Sequence, residues 1–247
     1  MKTIFNHRSI RKFKNNPINT NVLNKILEAS TRASNTGNMQ VYSIIVTRSP
    51  EIKEQLWQAH FKQNMVIEAP IHLTFCADIN RFNKWCETNN AKPGYDNFLW
   101  FYNATIDAIL ASQNACLEAE YNNLGVCYLG TTTYMAEKII DILNLPQGVI
   151  PVTSVVIGYP DEEPELTDRL PVDGIVHYEK YKDYNTHDIK NIYLEKEALE
   201  QTKKLVLDNE TETFAHVFTD KRYKKEDNIH FSNEFLKVLK KQGFMNQ

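Results

Sequence analysis

The densest group of hydrogen-bond donors in the chain is the N-terminal segment His7-Arg8-Ser9-Ile10-Arg11-Lys12-Phe13. An arginine guanidinium is a planar fork that binds two phosphate oxygens at once, and a serine hydroxyl adds a short donor. The segment therefore has the composition of a phosphate-binding site. A solvated basic terminus has the same composition, so the segment alone leaves both interpretations open.

Three loops and one glutamine carry further groups that suit a flat, polar ligand. Residues 34–40 are rich in small donors and acceptors, and Gln63 precedes a predicted strand. In Tyr128-Leu129-Gly130-Thr131 the glycine lets backbone N–H groups approach a ring or an anion closely. Arg169 could be a second phosphate ligand or simply the partner of Asp168. Each segment also fits an ordinary loop or turn.

The motifs of the common catalytic sites are absent from the sequence. It contains no Gly-x-Gly-x-x-Gly after a strand, no P-loop, no His-Glu-x-x-His and no Gly-x-Ser-x-Gly. His72 lies in an apolar run and is interpreted as a buried core residue rather than a ligand. Without a metal site or a catalytic nucleophile, we expect the chemistry to reside in a bound organic cofactor.

Composition indicates an ordinary globular protein. The chain has 247 residues, 42% hydrophobic residues and a formal net charge of -3, which gives no basic field for nucleic acid. No apolar run approaches the roughly 18 to 20 residues that span a bilayer. The four cysteines show no metal-ligand spacing, and Cys76, Cys116 and Cys127 have apolar neighbours. These features predict a cytoplasmic protein that binds neither nucleic acid nor membrane nor metal.

Hydrophobic periodicity predicts strands that alternate with helices. Strands are expected at residues 41–47, 71–77, 126–129 and 152–157, the last bounded by Pro151. Helices are expected at residues 19–33, with Asn19 or Thr20 as the N-cap, at residues 51–60, and at residues 98–123, the last ended by Gly125. A further helix is expected after a cap at Thr132 or Thr133. From Tyr193 onward the helical patterns are highly charged, as in an arm on a partner subunit or a frayed surface extension.

In their order and spacing these segments resemble the flavin mononucleotide-dependent nitroreductases, in the subgroup of oxygen-insensitive NADPH nitroreductases and flavin reductases. The resemblance covers residues 1 to about 185. It rests on His7-Arg8-Ser9-Ile10-Arg11, residues 34–40, Phe75-Cys76-Ala77-Asp78 with Asn80-Arg81, Gln113-Asn114-Ala115, residues 125–130, Leu145-Pro146 with Pro151, Arg169-Leu170-Pro171 and Val176-His177-Tyr178-Glu179.

The resemblance implies an α+β fold, in which helices wrap a central, mainly antiparallel sheet. It also implies an intertwined homodimer with a long central interface helix, here residues 98–123. Leu99, Tyr102 and Ile106 suit that helix, although a monomer core helix would show the same pattern. Residues 1–185 would form the flavin-binding domain and residues 186–247 a helical, charged extension that packs on the dimer.

The resemblance also implies the site residues. His7, Arg8, Ser9 and Arg11 match phosphate and ribityl contacts, and Arg169 completes the phosphate clamp. The remaining positions match the surroundings of the flavin ring, with Gln63 contributed by the partner subunit: Ser34, Asn35, Thr36, Gln63, Tyr128, Leu129, Gly130 and Thr131. No side chain is required as a nucleophile or obligatory base.

The implied function is FMN-dependent hydride transfer from NADPH, or NADH, to a nitroaromatic, quinone or flavin acceptor by a ping-pong mechanism. Phe82, Trp85 and Tyr95 could stack on a small aromatic acceptor or could pack under their loop. A cluster of cations in the tail could bind the extra phosphate of NADPH or be a solvated helix end: Lys221, Arg222, Lys224 and Lys225. A flavin-binding sensor or carrier without turnover is the alternative function.

One departure from the family pattern affects the flavin. The family often has Lys-Pro-Arg where this chain has Thr167-Asp168-Arg169. A positive charge near the ring favours its reduced, anionic form, so the loss of lysine predicts a more negative reduction potential.

Overall fold

The computed structural model describes residues 2–247, which form two compact units. One unit contains the chain up to Glu165 together with Ser232–Gln247, and the other contains Leu166–Phe231. All four strands and every predicted flavin residue except Arg169 lie in the first unit. The functional division after residue 185 stays a prediction.

A four-stranded antiparallel sheet is the centre of the first unit. Its strands are β1 Tyr42–Thr47, β2 Ile71–Asp78, β3 Gly125–Leu129 and β4 Val149–Gly158, in the order β1-β2-β4-β3. Each neighbouring pair is antiparallel, with Ile45 opposite Thr74 and Cys127 opposite Val156. Every residue of β2 is buried, as its mostly apolar sequence predicts. The mainly antiparallel sheet is therefore confirmed.

Eleven α-helices occur within residues 2–247. Helix α2 begins after its predicted N-cap, where the Asn19 side chain accepts a hydrogen bond from the Asn21 backbone N–H. The bounds are α1 Lys2–Phe5, α2 Thr20–Thr31, α3 Pro50–Ala59, α4 Met65–Glu68, α5 Asn80–Thr88, α6 Phe98–Tyr121, α7 Ala136–Leu143, α8 Thr186–Ala198, α9 Glu200–Asp208, α10 Phe214–His216 and α11 Lys225–Lys241. Short 3-10 turns lie at Thr36–Asn38 and Val172–Gly174, and a π-helical turn lies at Val217–Arg222.

The two faces of the sheet carry two separate hydrophobic cores. One face is covered by α2 and α6, and α6 contributes a fully buried row of small side chains: Ala104, Ala108, Ala111, Ala115 and Ala119. Small side chains let the helix axis approach the strands closely. On the other face, Cys127 and Val156 pack with Leu56 of α3 and Ile139 of α7. The N-terminal residues Ile10 and Phe13 belong to this second core.

The opposite side of α6 is apolar and uncovered within the chain. Exposed side chains on it are Leu99, Tyr102, Ile106, Ile109 and Leu110. Leu99 is 63% exposed and Tyr102 is 56% exposed. A helix that is apolar all round is normally buried on all sides, so this surface is suited to a partner.

Four predicted boundaries were wrong. Helix α6 ends at Tyr121, and Gly125 instead begins β3, where a Cβ atom would lie 2.6 Å from Ile10 Cγ1. Strand β4 runs through Pro151, because a bulge accommodates a residue without an N–H: Phe75 pairs with Thr153 and Cys76 with Pro151, which leaves Val152 of β4 unpaired in the register.

Neither threonine caps the helix that follows β3. Helix α7 starts at Ala136 without a side-chain cap, and Thr132 Oγ1 donates instead to the Leu129 carbonyl. In the second unit the helices begin at Thr186 rather than Tyr193. The Asn185 and Asp188 side chains form a capping box there, which stabilises the earlier start.

Within residues 2–247, no helix is both long and apolar enough to cross a bilayer. The same residues contain no group of three His, Cys, Asp or Glu side chains placed to hold a metal ion.

Candidate functional site

The N-terminal segment His7–Arg11 lies against strand β3. Ser9 forms a parallel bridge with Val126, and the Ile10 N–H donates to the Val126 carbonyl at 2.9 Å. Phe13 forms a second bridge with Pro160. The buried Ile10 and Phe13 side chains anchor the segment, while Arg11 is exposed and Arg8 half-buried. This arrangement holds the cationic groups at the edge of the sheet.

Acidic side chains from the chain after β4 partly neutralise these cations. Arg8 Nη1 donates to Glu163 Oε1 at 3.2 Å, and the Glu163 side chain is largely exposed. The Arg11 backbone N–H donates to Glu162 Oε1 at 2.5 Å. Arg8 Nε is buried and has no hydrogen-bond partner. An anion that displaced the exposed Glu163 carboxylate would find the Arg8 guanidinium already in place as a donor.

His7 contacts Glu120, a carboxylate 113 residues further along the chain, which no sequence motif connects with it. Its Nδ1 lies 2.6 Å from Glu120 Oε1, near the end of α6. Burial raises the pKa of the Glu120 carboxyl, and the hydrogen bond to His7 acts in the opposite direction. Glu120 Oε2 is buried without a partner. The pair fixes the His7 ring at the start of the cationic segment.

Gln63 and Thr131 lie side by side in the same chain. Gln63 Nε2 donates to Thr131 Oγ1 at 3.4 Å and to the His60 carbonyl at 3.1 Å. His60 Nδ1 lies 2.8 Å from Thr131 Oγ1. One protomer therefore places both side chains at the same corner, and the contribution of Gln63 to the partner subunit's flavin site stays a prediction.

The end of β3 is open on one side. A Cβ atom at Gly130 would have no other atom within 4 Å, and Gly130 is exposed. Tyr128 precedes Leu129, the last residue of β3, and its hydroxyl lies 2.9 Å from Ser112 Oγ. Burial raises the pKa of the Tyr128 phenol, which is therefore a neutral donor or acceptor at neutral pH. The strand end has space for a flat group against its backbone.

The loop of residues 34–40 is held by an acid on α6. Asp107 Oδ1 accepts hydrogen bonds from the Thr36 backbone N–H at 2.9 Å and from Thr36 Oγ1 at 3.1 Å. Asn35 Oδ1 accepts from the Gln40 backbone N–H, which closes the loop. Asp107 Oδ2 is buried without a partner. Asn35 and Thr36 are half-buried and Ser34 is exposed.

Arg169 lies in the second unit and does not form an ion pair with Asp168. Its Nη1 donates to the backbone carbonyls of Thr167 and Asp168 at 3.1 and 2.9 Å. The Asp168 carboxylate instead binds Lys196 Nζ at 2.6 Å. The interpretation of Arg169 as the side-chain partner of Asp168 was wrong, and its guanidinium remains exposed for an anion.

The candidate acceptor aromatics pack on one another. Phe82 lies 5.3 Å from both Trp85 and Tyr95, measured between ring centroids, and Tyr95 lies 4.5 Å from Trp100. Phe82 and Tyr95 also contact the main core, whereas Trp85 is exposed. Trp85 is thus the member with a free face. The candidate NADPH cations are exposed in the second unit: Lys221, Arg222, Lys224 and Lys225.

Comparisons with known proteins identify the family of this chain. Residues 4–159 match the family model described as the Nitroreductase family. The FMN reductase (NADPH) of Bacillus subtilis (strain 168) is 31% identical over 193 residues, which cover 77% of each protein.

Two solved structures extend the likeness to the whole chain. The crystal structure of a protein described as an oxidoreductase from Bacteroides fragilis NCTC 9343 has a TM-score of 0.98 and 51% identity, with 100% of both chains covered. The NADPH:FMN oxidoreductase from Vibrio harveyi, complexed with NAD+, has a TM-score of 0.80 and 27% identity, covering 100% of this chain and 98% of its own. The chain belongs to the nitroreductase family.

Proposed function

We propose that this protein is an FMN-dependent oxidoreductase that passes a hydride from NADPH, or NADH, to a small aromatic acceptor such as a nitroaromatic, a quinone or free flavin. Membership of the nitroreductase family supports the reaction class. The names of the Bacillus subtilis and Vibrio harveyi relatives support FMN and NADPH as its cofactor and reductant.

One observation carries the proposal: the cationic segment and the open strand end share strand β3. Ser9 is opposite Val126, and Leu129 ends the strand three residues later, a span of roughly 10 Å. Phosphate donors and a ring-sized opening are thus separated along one edge. This spacing suits a ligand with a phosphate at one end and a flat ring at the other.

The residues present fit FMN on two grounds. Buried Arg8 Nε lacks a partner, which a phosphate or ribityl oxygen would supply. The space beside Gly130 would admit an aromatic ring against the backbone. When bound, FMN supplies a ring that can take up a hydride and later release it to an acceptor.

The protein's own groups bind and orient rather than react. Arg8 and Arg11 would hold the phosphate by charge-assisted hydrogen bonds, and Ser9 would add a neutral donor. Asp107 keeps the loop at Thr36 in place. Consistent with the sequence, we assign no catalytic acid, base or nucleophile.

We also propose that the protein is a homodimer whose interface includes the apolar surface of α6. Ile106 and Ile109 are exposed on this surface, within a helix whose other side is buried in the core. Burial of apolar area contributes about 25 cal/mol per Å², so a partner helix there would stabilise the assembly. The charged extension at residues 186–247 would pack on this dimer.

Other assignments rest on the same proposal. Arg169 would complete the phosphate clamp, the cations from Lys221 to Lys225 would favour NADPH over NADH, and Trp85 would stack on the acceptor. A reducing, cytoplasmic location is supported by four cysteines that are free and buried.

The test is steady-state oxidation of NADPH and of NADH by purified, FMN-loaded protein with a quinone. We expect turnover with parallel double-reciprocal plots, the pattern of a ping-pong mechanism, and a lower KM for NADPH. Protein that holds FMN but does not turn over with either reductant would instead be a flavin sensor or carrier.

A further inference from the structure

Two histidines lie buried directly beneath the corner formed by Gln63 and Thr131. His60 and His72 are both fully buried, and their Nε2 atoms are 3.3 Å apart. His60 Nδ1 lies 2.8 Å from Thr131 Oγ1, and His72 Nδ1 lies 3.4 Å from Thr74 Oγ1. The polar atoms therefore form one continuous chain from the half-buried Thr131 into the centre of the sheet.

Both imidazoles are neutral at neutral pH. Burial lowers the pKa of His60 to about 4. It also lowers the pKa of His72 well below its usual value, and the nearby His60 and Lys53 act in the same direction. Lys53 is itself buried, and its Nζ donates to the carbonyls of Ile67 and Ala69. A neutral imidazole has one N–H donor and one acceptor nitrogen. Each ring must consequently donate on one side and accept on the other.

The outer end of the chain is fixed by the Gln63 amide. A carbonyl oxygen only accepts, so the contact with the His60 carbonyl requires Gln63 Nε2 at that position. The second amide hydrogen is donated to Thr131 Oγ1. Gln63 Oε1 is then the atom of this amide that faces a ligand. Thr131 keeps one hydroxyl hydrogen to donate.

The inner end sets the direction of the chain. The His72 ring donates a hydrogen bond to its own backbone, which acts to raise its pKa. Because His72 Nε2 faces His60, the ring nitrogen that donates to this backbone is Nδ1. With the proton on His72 Nδ1, beside Thr74 Oγ1, His72 Nε2 accepts from His60 Nε2–H. His60 Nδ1 is then an acceptor, and the Thr131 hydroxyl donates to it.

We propose that His60 and His72 are positioning residues: they make the Thr131 hydroxyl donate its hydrogen bond inward, to His60 Nδ1, and not to a ligand. Gln63 and Thr131 therefore meet the bound ring with acceptor atoms only and select an N–H donor on it. The second part rests on the proposed function, since it needs a ring at this corner. The first part does not, because the hydrogen bonds from Thr131 through His60 and His72 to Thr74 need no ligand.

The backbone between His60 and Gln63 supports a fixed geometry at this corner. Phe61 and Lys62 have φ angles of 53° and 58°, a left-handed conformation that two successive residues with side chains rarely adopt. The turn is closed by the Lys62 N–H, which donates to the Trp57 carbonyl at 2.8 Å. Such conformations persist where the surrounding contacts over-determine them, and they concentrate at functional sites.

The experiment measures histidine tautomers by ¹⁵N NMR in the FMN-free protein, followed by the Kd for FMN. In the parent we expect the His60 proton on Nε2 and the His72 proton on Nδ1. His72 hydrogen bonds to neither Gln63 nor Thr131 in the contacts above, so His72→Phe acts on them only through His60. We expect the His60 proton to move to Nδ1 in this variant and the Kd to rise about tenfold, the effect of one lost hydrogen bond of about 1.4 kcal/mol.

Matched variants separate positioning from general damage. Thr131→Ser keeps the hydroxyl and should retain the parent Kd, whereas Thr131→Val should weaken FMN binding as His72→Phe does. His230→Asn changes an exposed histidine and should alter neither readout.

Two results would overturn the inference. One is a parent protein with the His60 proton on Nδ1, and the other is a His72→Phe variant with both the tautomer and the Kd unchanged. The parent tautomers decide the first result even if the variant fails to fold. A parent with the expected tautomers that binds no FMN would contradict the proposed function and the selection of a ring N–H, but not the buried chain.

Discussion

Ser9 lies opposite Val126 in a parallel bridge, which places the cationic N-terminal segment beside strand β3, the strand that ends at Leu129, just before Gly130. Two segments more than a hundred residues apart in the sequence thereby form one edge. The bridge is made by backbone groups, so it does not depend on the arginine side chains. Substitutions of those side chains should change ligand binding without unfolding the edge.

Arg8→Ala or Arg11→Ala should release FMN while the fold persists. Each change removes charge-assisted hydrogen bonds of about 1.5–3 kcal/mol, which corresponds to a rise in Kd of roughly 10- to 100-fold. Fluorescence titration of FMN measures the Kd, and circular dichroism verifies the fold. Lys14→Ala removes an exposed cation that directly follows the segment and should change the Kd little. Equal Kd values for all three variants would remove the segment from the site.

Glu163→Gln should strengthen FMN binding. The Glu163 carboxylate binds Arg8 at 3.2 Å and competes with a phosphate for it. An exposed ion pair contributes about 0.2–1 kcal/mol, so the gain in affinity should be at most about fivefold. Calorimetric titration compares this variant with Glu165→Gln, which changes an exposed carboxylate nearby. A weaker-binding Glu163→Gln variant would show that Glu163 supports the site instead of competing.

Acid should destabilise the protein through its buried histidines. The pKa of His60 is about 4 in the folded state and that of His72 is also lowered, with Lys53 as the charged neighbour. The unfolded chain, with histidine pKa values near 6.5, therefore binds more protons below that pH. Stability is retained above pH 6.5 and is lost as the pH falls towards 4, by about 3 kcal/mol for His60.

Urea unfolding of the FMN-free protein at several pH values between 7 and about 4 tests this dependence. His72→Phe should flatten it by removing one of the two groups. His230→Asn should retain the parent slope, since His230 is exposed. A parent stability that rose on acidification would reverse the predicted sign.

Ile106→Glu should convert the proposed dimer to monomers. The substitution places a carboxylate on the exposed apolar surface of α6, where an isolated charge would have to be buried on association. Light scattering after size exclusion gives the mass. Lys138→Glu puts a carboxylate at an exposed position of α7, away from this surface, and should leave the oligomeric state unchanged. If both variants had the parent mass, the interface would lie elsewhere.

Thr167→Lys should raise the reduction potential of bound FMN by restoring a cation near the ring. Asp168→Asn should shift the potential less, because Lys196 already compensates the Asp168 charge at 2.6 Å. Spectroelectrochemical titration measures both variants against the parent. A Thr167→Lys variant without any rise would mean that this position is too far from the ring to affect it.

Local patterns predicted most of the secondary structure. The apolar run of β2 and the Asn19 cap of α2 were confirmed, because they depend on neighbouring residues. The boundary at Gly125 was wrong because this glycine does not end a helix: it leaves room for the Ile10 side chain, which packs against the backbone there in the folded structure. Likewise, Pro151 fits within β4 beside a bulge, in which the next residue, Val152, has no partner on the neighbouring strand.

The site was only partly accessible from the sequence. The N-terminal segment could be singled out because Arg and Ser cluster locally in it, and its role as a phosphate clamp stays a prediction. His7 and Glu120 are 113 residues apart in the chain, and His60 and Thr131 are 71 apart, so no spacing rule connects them. His72 was correctly predicted to be a buried core residue, but its pairing with His60 required the three-dimensional structure.

The most direct measurement is an anaerobic titration of the purified, FMN-loaded protein with NADPH, followed through the visible absorption of the flavin. We predict stoichiometric loss of that absorption and its return when a quinone is added. A protein that takes up no FMN, or whose flavin absorption is unchanged by both NADPH and NADH, would contradict the assignment of this chain as an FMN-dependent oxidoreductase.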